Sequence, residues 1–291
     1  LAANQATVGG QATTDSPLTF SNGAFAAVWH DENGDGAGWG VKARLFAKSL
    51  TPVGGEFPIN KVTAGNQHWP SAVESNDEWL VLWAQELNDT SQDIRFRKFN
   101  KEGKPVAGAA ERRANQNTEG SQSAPDAVGL DGGRLAIAWE AEGVDGSDTG
   151  VAQRLFGLDL SPEGAEIQVN QWVPQMQEAP TVGFAAGAKT IAVAWTSFGQ
   201  EEVEDVYARV FSSEGVPLTN EFRVNETTAD SQFDPDLGML ADGRIVLAWT
   251  SYGSLQTGND LRGRVFDSDG SPLTGELPLS ATSEGNQGQA S

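Results

Sequence analysis

The apolar positions of this chain fall in short alternating runs separated by glycine-rich turns. Asp126-Ala127-Val128-Gly129-Leu130 reads as one strand, Asp131-Gly132-Gly133 as a tight turn, and Leu135-Ala136-Ile137-Ala138-Trp139 as a second strand. An acidic, glycine-rich loop follows. Val151 to Phe156 then reads as a third strand, and a Gly/Pro turn leads to a fourth at Glu166 to Asn170. Asp-Gly and Asn-Gly pairs supply the positive φ that tight hairpins need, and Asn22-Gly23 and Asp242-Gly243 stand at the same place in two other stretches. No segment sustains the period of an amphipathic helix. No apolar run approaches the ~20 residues of a membrane-crossing helix; the longest, such as Thr190-Ile191-Ala192-Val193-Ala194-Trp195, have strand length.

The four-strand unit recurs. Glu56, Glu111, Glu166, Glu221 and Glu276 are each 55 apart, and Asn60, Asn115, Asn170 and Asn225 keep the same step with Ser280 in the fifth place. Gln67, Gln122, Gln177, Gln232 and Gln287 do so too, as do Pro70, Pro125, Pro180 and Pro235. A tryptophan series runs through Trp29, Trp83, Trp139, Trp195 and Trp249. Arg44, Arg97, Arg154, Arg209 and Arg264 each precede by two residues Phe46, Phe99, Phe156, Phe211 and Phe266. Such a unit cannot bury its apolar faces alone, so neighbours must stack on one another. The pattern predicts an all-β fold: a five-bladed β-propeller with four antiparallel strands (A to D) per blade. It forms one domain over 1–291, with repeats at about 12–67, 68–122, 123–177, 178–232 and 233–287. Residues 1–11 overlap a repeat end, because Ala3-Asn4-Gln5 through Gln11 resembles Ile59-Asn60-Lys61 through Gln67. An open β-solenoid is the alternative, with shorter rungs.

Residues present in every copy read as scaffold. The repeat Trp fills the wedge between blades. The Arg and Glu series lie on adjacent strands C and D and pair across the hairpin or between blades; the alternative is two separate solvated charges. The repeat Asn and Gln flank the D–A connection and satisfy backbone groups there, or else line a ligand ring.

Composition narrows the chemistry. The formal charge is -21, and Cys is absent. Disulfides, zinc-thiolate sites and Cys nucleophiles are therefore excluded. Such an acidic surface repels phosphate backbones and anionic lipid, so no nucleic acid and no membrane insertion are expected. Divalent cations, cationic partners or neutral sugars fit better; the plain alternative is solubility or adaptation to salt. There is no phosphate loop, nucleophile elbow or His-paired nucleophile.

Variable B–C and D–A loops on a rigid scaffold are the expected functional face. Asp31-Glu32-Asn33-Gly34-Asp35-Gly36, in the first B–C loop, places oxygen ligands at alternate positions, which suits calcium held by Asp31, Asn33 and Asp35. Lys42 and Trp39 stand where further ligands would be expected, and the alternative is a polar hairpin loop. Weaker copies are Asp145-Gly146-Ser147-Asp148, Asn88-Asp89 with Asp93, and Glu201-Glu202 with Glu204-Asp205. Trp39, Trp69 and Trp172 lie outside the periodic series in loops, with His68 beside Trp69 as a polar handle. Exposed Trp there stacks on sugar or anchors a partner; the alternative is ordinary loop packing. Trp79 lies in a strand and reads as core. Strand A also carries acidic residues, Asp15, Glu74, Asp126, Asp234 and Asp236, one blade apart as distinct catalytic roles require, or simply polar strand edges.

The repeat as a whole, best seen in Gly215-Val216-Pro217-Leu218-Thr219-Asn220-Glu221-Phe222-Arg223-Val224-Asn225, resembles the tandem β-propeller-type repeats of large bacterial secreted and surface proteins of the adhesin, RTX or cadherin-like kind. That resemblance implies a secreted or cell-surface setting, part of a larger chain, often with calcium. The resulting expectation is a binding module for glycan or a cell-surface protein. The alternatives are a structural repeat domain without a ligand, and a glycan-active hydrolase or lyase with carboxylates in the central channel.

Overall fold

The computed structural model describes residues 3–5, 10–12, 17–88, 91–106, 110–200, 203–252 and 258–280. Asp15, Asp89, Glu201-Glu202 and Gln287, with the rest of 281–291, lie outside the described residues. Five antiparallel sheets follow one another in chain order, and the fold is a five-bladed β-propeller with four strands per blade. The only helix among the described residues is one 3-10 turn, Asp131–Gly133, at the expected hairpin, where Gly132 takes φ 69°. The third blade runs through Gln122–Gly129, Leu135–Glu142, Thr149–Phe156 and Ile167–Gln168. Strand A thus begins four residues earlier than the pattern predicts, and strand D is only two residues long. In the first blade, strand A is two short pieces, Gln11–Ala12 and Leu18–Thr19, both paired with Phe25–Asp31.

The chain forms two compact units, 1–135 and 136–291. In the first, alternate residues Trp79, Val81 and Trp83 of strand Glu78–Asn88 pack with Ala26, Val41, Ala43 and Ile59 of the preceding blade. In the second, Ile245, Leu247 and Trp249 of strand Ile245–Tyr252 pack with Ala192, Ala194, Val206 and Ala208. The period-2 alternation of strands puts the large residues on one face of a blade and the small ones on the other. A large face therefore meets the small face before it. All five repeat tryptophans are at most 3% exposed, and Trp79 is buried as well; Trp83 and Trp249 fill the wedge against the blade before.

The Arg and Glu series both grip the blade before. Arg97 Nη1 donates to the Ile59 carbonyl at 2.8 Å, Arg209 to Val169 at 2.9 Å and Arg264 to Val224 at 3.0 Å. Each guanidinium also lies 5.2–5.8 Å from the ring centre of its Phe partner. Glu221 accepts the Gln171 and Trp172 amides at 2.5 and 3.0 Å, and Glu276 those of Glu226 and Thr227 at 2.5 and 2.8 Å. The N-terminal overlap obeys the same rule. Arg44 donates to the Ala3 carbonyl at 3.2 Å, Glu56 takes the Gln5 amide, and Asn4 bonds Gln11 as Asn60 bonds Gln67.

The repeat Asn is the staple of the D–A connection. Its Oδ1 accepts the amide of Val41, Ile94, Val151 or Val206 at 2.8–2.9 Å, and its Nδ2 bonds a carbonyl two residues on. Asn225→Ala would strand the buried Val206 N–H and take a donor from Asp205, at about 1–3 kcal/mol for the orphaned donor. Urea unfolding of the variant should show a loss of that size with an unchanged m-value, and a loss below 1 kcal/mol would contradict the staple.

Candidate functional site

The acidic loops resolve first. The repeat Asn also donates Nδ2 to one carboxylate per blade: Asp93 at 2.7 Å, and Asp205, both from the start of strand C. In the last blade the Ser280 hydroxyl reaches Asp260 at 3.4 Å. In blades one and three the corresponding strand position is Gly40 or Gly150, and the carboxylate comes from the loop instead, Asp35 at 2.8 Å and Asp145 at 2.7 Å. The glycines make the room, because a Cβ on Gly40 would lie 2.9 Å from the Asp35 side chain and one on Gly150 2.8 Å from the Asp145 carboxylate.

This accounts for the motif read as a calcium loop. Asp35 is committed to Asn60 and to the Ala37 amide at 3.0 Å. Asp31 is buried and accepts from Lys42 Nζ at 3.3 Å, Gln11 Nε2 at 3.2 Å and the Asn33 amide at 3.2 Å. Asn33 is exposed. Among the described residues, no three His, Asp or Glu side chains are grouped to hold a metal.

A second repeated device sits at the head of strand A. The residue before the repeat Pro is left-handed although it is not glycine: Trp69 (φ 49°), Ala124 (43°), Ala179 (49°) and Asp234 (50°). Such backbone is strained and the proline that follows disfavours it further. Three of these amides are held by the side chain that follows the preceding blade's Trp. They are Trp69 to His30 Nδ1 at 3.4 Å, Ala179 to Glu140 Oε1 at 2.8 Å, and Asp234 to Thr196 Oγ1 at 3.1 Å. The pairing register slips at this bulge in blades two, four and five.

In the second unit these heads of strands border a cleft of about 240 Å³ lined by Glu178, Ala179, Thr196, Phe198, Glu204, Phe233 and Asp234. Burial first, then the charges of Glu140, Glu204 and Asp234, push the Glu178 carboxyl above its ordinary range. Burial and then Glu204 push Asp234 up, and burial pushes Asp236 up against the opposing pull of the Leu237 amide. Burial and neighbouring negative charge both disfavour the ionised form of a carboxyl. The cluster therefore keeps a proton at a pH where exposed carboxylates have lost theirs.

In the first unit His30, Trp39, His68 and Trp69 form a chain of ring contacts. Centroid separations are 5.0 Å for His30–Trp39, 5.4 Å for His30–His68, 5.6 Å for Trp39–His68 and 5.5 Å for His68–Trp69. Burial, then His68, lowers the pKa of His30; burial lowers that of His68 against the opposing charge of Glu86. Three predicted residues, Trp39, His68 and Trp69, thus come together, with His30 added. Trp172, in the second unit, is half-buried in its D–A connection, where its amide is held by Glu221 and its carbonyl by Asn170.

Of the acidic residues expected on strand A, Asp234 lines the cleft. Glu74 is tied to Ser21 and Lys101 at 3.2 and 3.5 Å, and Asp126 takes the Ser71 hydroxyl at 3.2 Å. Sequence reading missed Glu178 and Glu140. Their signal was positional: Glu178 is two before Pro180, and Glu140 directly follows Trp139.

No protein-family profile matches the chain, and no curated sequence matches it. Solved structures do. An α-L-arabinanase of Penicillium chrysogenum complexed with arabinobiose is similar at 12% identity and TM-score 0.60, over 91% of this chain and 80% of that one. An endo-arabinase of Bacteroides thetaiotaomicron matches at 12% and 0.54, over 91% and 94%. A mutant α-L-arabinofuranosidase of Fusarium graminearum matches at 11% and 0.62, over 88% and 79%. At these identities the likeness is one of fold.

The Asp35 contacts make a direct prediction. Asp35→Ala takes one charged acceptor from Asn60 Nδ2, which keeps the Val62 carbonyl and Gln67 Oε1, so the melting midpoint should fall by a few degrees, in keeping with about 1 kcal/mol for one hydrogen bond, while a chelator leaves the wild-type midpoint in place. A chelator-induced drop would restore calcium to this loop.

Proposed function

We propose that this protein hydrolyses glycosidic bonds of a neutral polysaccharide, with the cleft of blades four and five as its active site. The observation that carries the reading is the convergence of Glu178, Glu204 and Asp234 on one cleft, with Glu140 near enough to act on Glu178, and with Glu178 and Asp234 raised above the ordinary carboxylate range. Glycoside hydrolysis needs a carboxyl still protonated at working pH, to give its proton to the leaving oxygen, and a carboxylate that attacks the anomeric carbon or activates water. Glu178 and Asp234 fit the first role. Glu140, oriented by the Ala179 amide at 2.8 Å, fits the second. Phe198 and Phe233 supply apolar walls against which a sugar face can lie. Support also comes from the fold neighbours, which are named for arabinan and arabinofuranoside cleavage. A polymeric substrate accords with a secreted or surface setting. Carbohydrate recognition without turnover is the second reading, favoured by the Trp39–His68–Trp69 group.

Linear arabinan and an aryl α-L-arabinofuranoside are the first substrates to assay. Glu178→Gln and Asp234→Asn should each lower kcat by about 10²–10⁴ while the circular dichroism spectrum is kept. No sugar release by the wild type from arabinan, xylan or glucan panels would reject hydrolysis.

Stability should move the other way. A carboxyl raised by folding holds a proton that the unfolded chain has already released, so its contribution favours the fold at low pH. That contribution is lost as pH rises through the folded pKa. Asp234→Asn should therefore raise the melting midpoint at neutral pH and leave it nearly unchanged near pH 4. A lower midpoint at neutral pH would contradict the raised carboxyl.

A further inference from the structure

The pre-proline position at the head of strand A keeps one backbone conformation in four blades, φ 43–50°, while its side chain changes from Trp69 to Ala124, Ala179 and Asp234. Constant strained backbone with varied side chains is the mark of a mounting point whose chemistry is set blade by blade. In the fifth blade the mount carries Asp234, part of the cleft. In the second it carries an indole that is 38% exposed.

The surroundings of Trp69 specify what could lie on it. His68 and Trp39 continue the ring surface, and Gly10 is needed beneath it, since a Cβ there would lie 2.8 Å from the Trp39 ring. His30 accepts the Trp69 N–H at Nδ1, which fixes the neutral imidazole with its proton on Nε2. The carboxylates nearby are already committed: Glu32 takes the Gly10 amide at 2.7 Å, and Glu86 takes the Asn66 amide at 2.9 Å. A chain of net charge -21 does not attract an anion. Flat apolar faces with neutral donors at the rim suit an uncharged ring carrying hydroxyls.

We infer that Trp69, backed by His68, Trp39 and His30, is a stacking platform for a neutral oligosaccharide. The substrate class is shared with the hydrolytic reading and in that respect rests on it, but binding here is measured without turnover.

The test is calorimetric titration, with intrinsic tryptophan fluorescence in parallel, of the whole chain with arabinotriose and with cellotriose. Wild type should bind at least one of them at millimolar concentration or better. Trp69→Ala should weaken that binding tenfold or more, Trp69→Phe should keep part of it, and Trp172→Ala should leave it unchanged. Thermal melts of all three variants check folding, and Trp69→Phe carries the test if Trp69→Ala is unfolded. Absence of binding to both sugars, or an unaltered affinity in Trp69→Ala and Trp69→Phe, overturns the platform. Trp69-dependent binding in a chain that cleaves nothing sustains the platform and sinks the hydrolytic reading. Cleavage indifferent to Trp69, with no affinity lost in its variants, does the reverse.

Discussion

Each blade depends on being gripped by the next. A four-stranded sheet of this size has two apolar faces, and the packing of large residues into a neighbour's alanines is what removes them from water: Trp249 against Ala192 and Ala194, Trp83 against Ala43. Burying one such indole is worth about 2–3 kcal/mol of transfer free energy. The packing is non-directional, so register needs directional contacts. These come from the Arg and Glu that reach back to carbonyls and amides at the end of the preceding sheet. Hydrophobic area provides the adhesion and charge-assisted hydrogen bonds provide the alignment.

On that frame the strand heads acquire fixed positions, and strain can be tolerated there. A left-handed residue before proline is unfavourable in isolation. Here the amides of Trp69, Ala179 and Asp234 are tied down by side chains of the blade before. The same tie orients the tying group, so that Glu140 is both a fastener and a carboxylate beside Glu178. Scaffold and chemistry are thus served by one hydrogen bond.

How much of this was legible follows from what repeats. The Glu and Gln series recur at a constant step, and the Trp and Arg-x-Phe series stay within two residues of it, so blade number and strand order could be read directly. The N-terminal overlap could be read too, and Ala3 and Gln5 do take the parts of Ile59 and Lys61. The cleft could not be read in the same way. Its carboxylates come from three blades and share no motif, and Glu178 and Glu140 meet only because one sheet stacks on another. The loop Asp31-x-Asn33-x-Asp35 was ambiguous for a related reason. Alternating acids suit a cation and also suit turn amides, and the tie of Asp35 to Asn60 could not be read from the motif.

The exchange between a strand aspartate and a loop aspartate has a consequence for how such blades diverge. The strand carboxylate Asp205, and Gly150 with the loop carboxylate Asp145, are two solutions to one need. A blade carrying both would crowd its own core, since the space beside Gly150 is only 2.8 Å deep before the carboxylate. A blade carrying neither would leave the repeat Asn with its two neutral acceptors alone, as Asn170 has in the Trp172 carbonyl and Gln177 Oε1. Passage from one solution to the other is therefore easier by losing the first carboxylate before gaining the second. Blades of different lineage should be sorted by this pair of sites changing in concert.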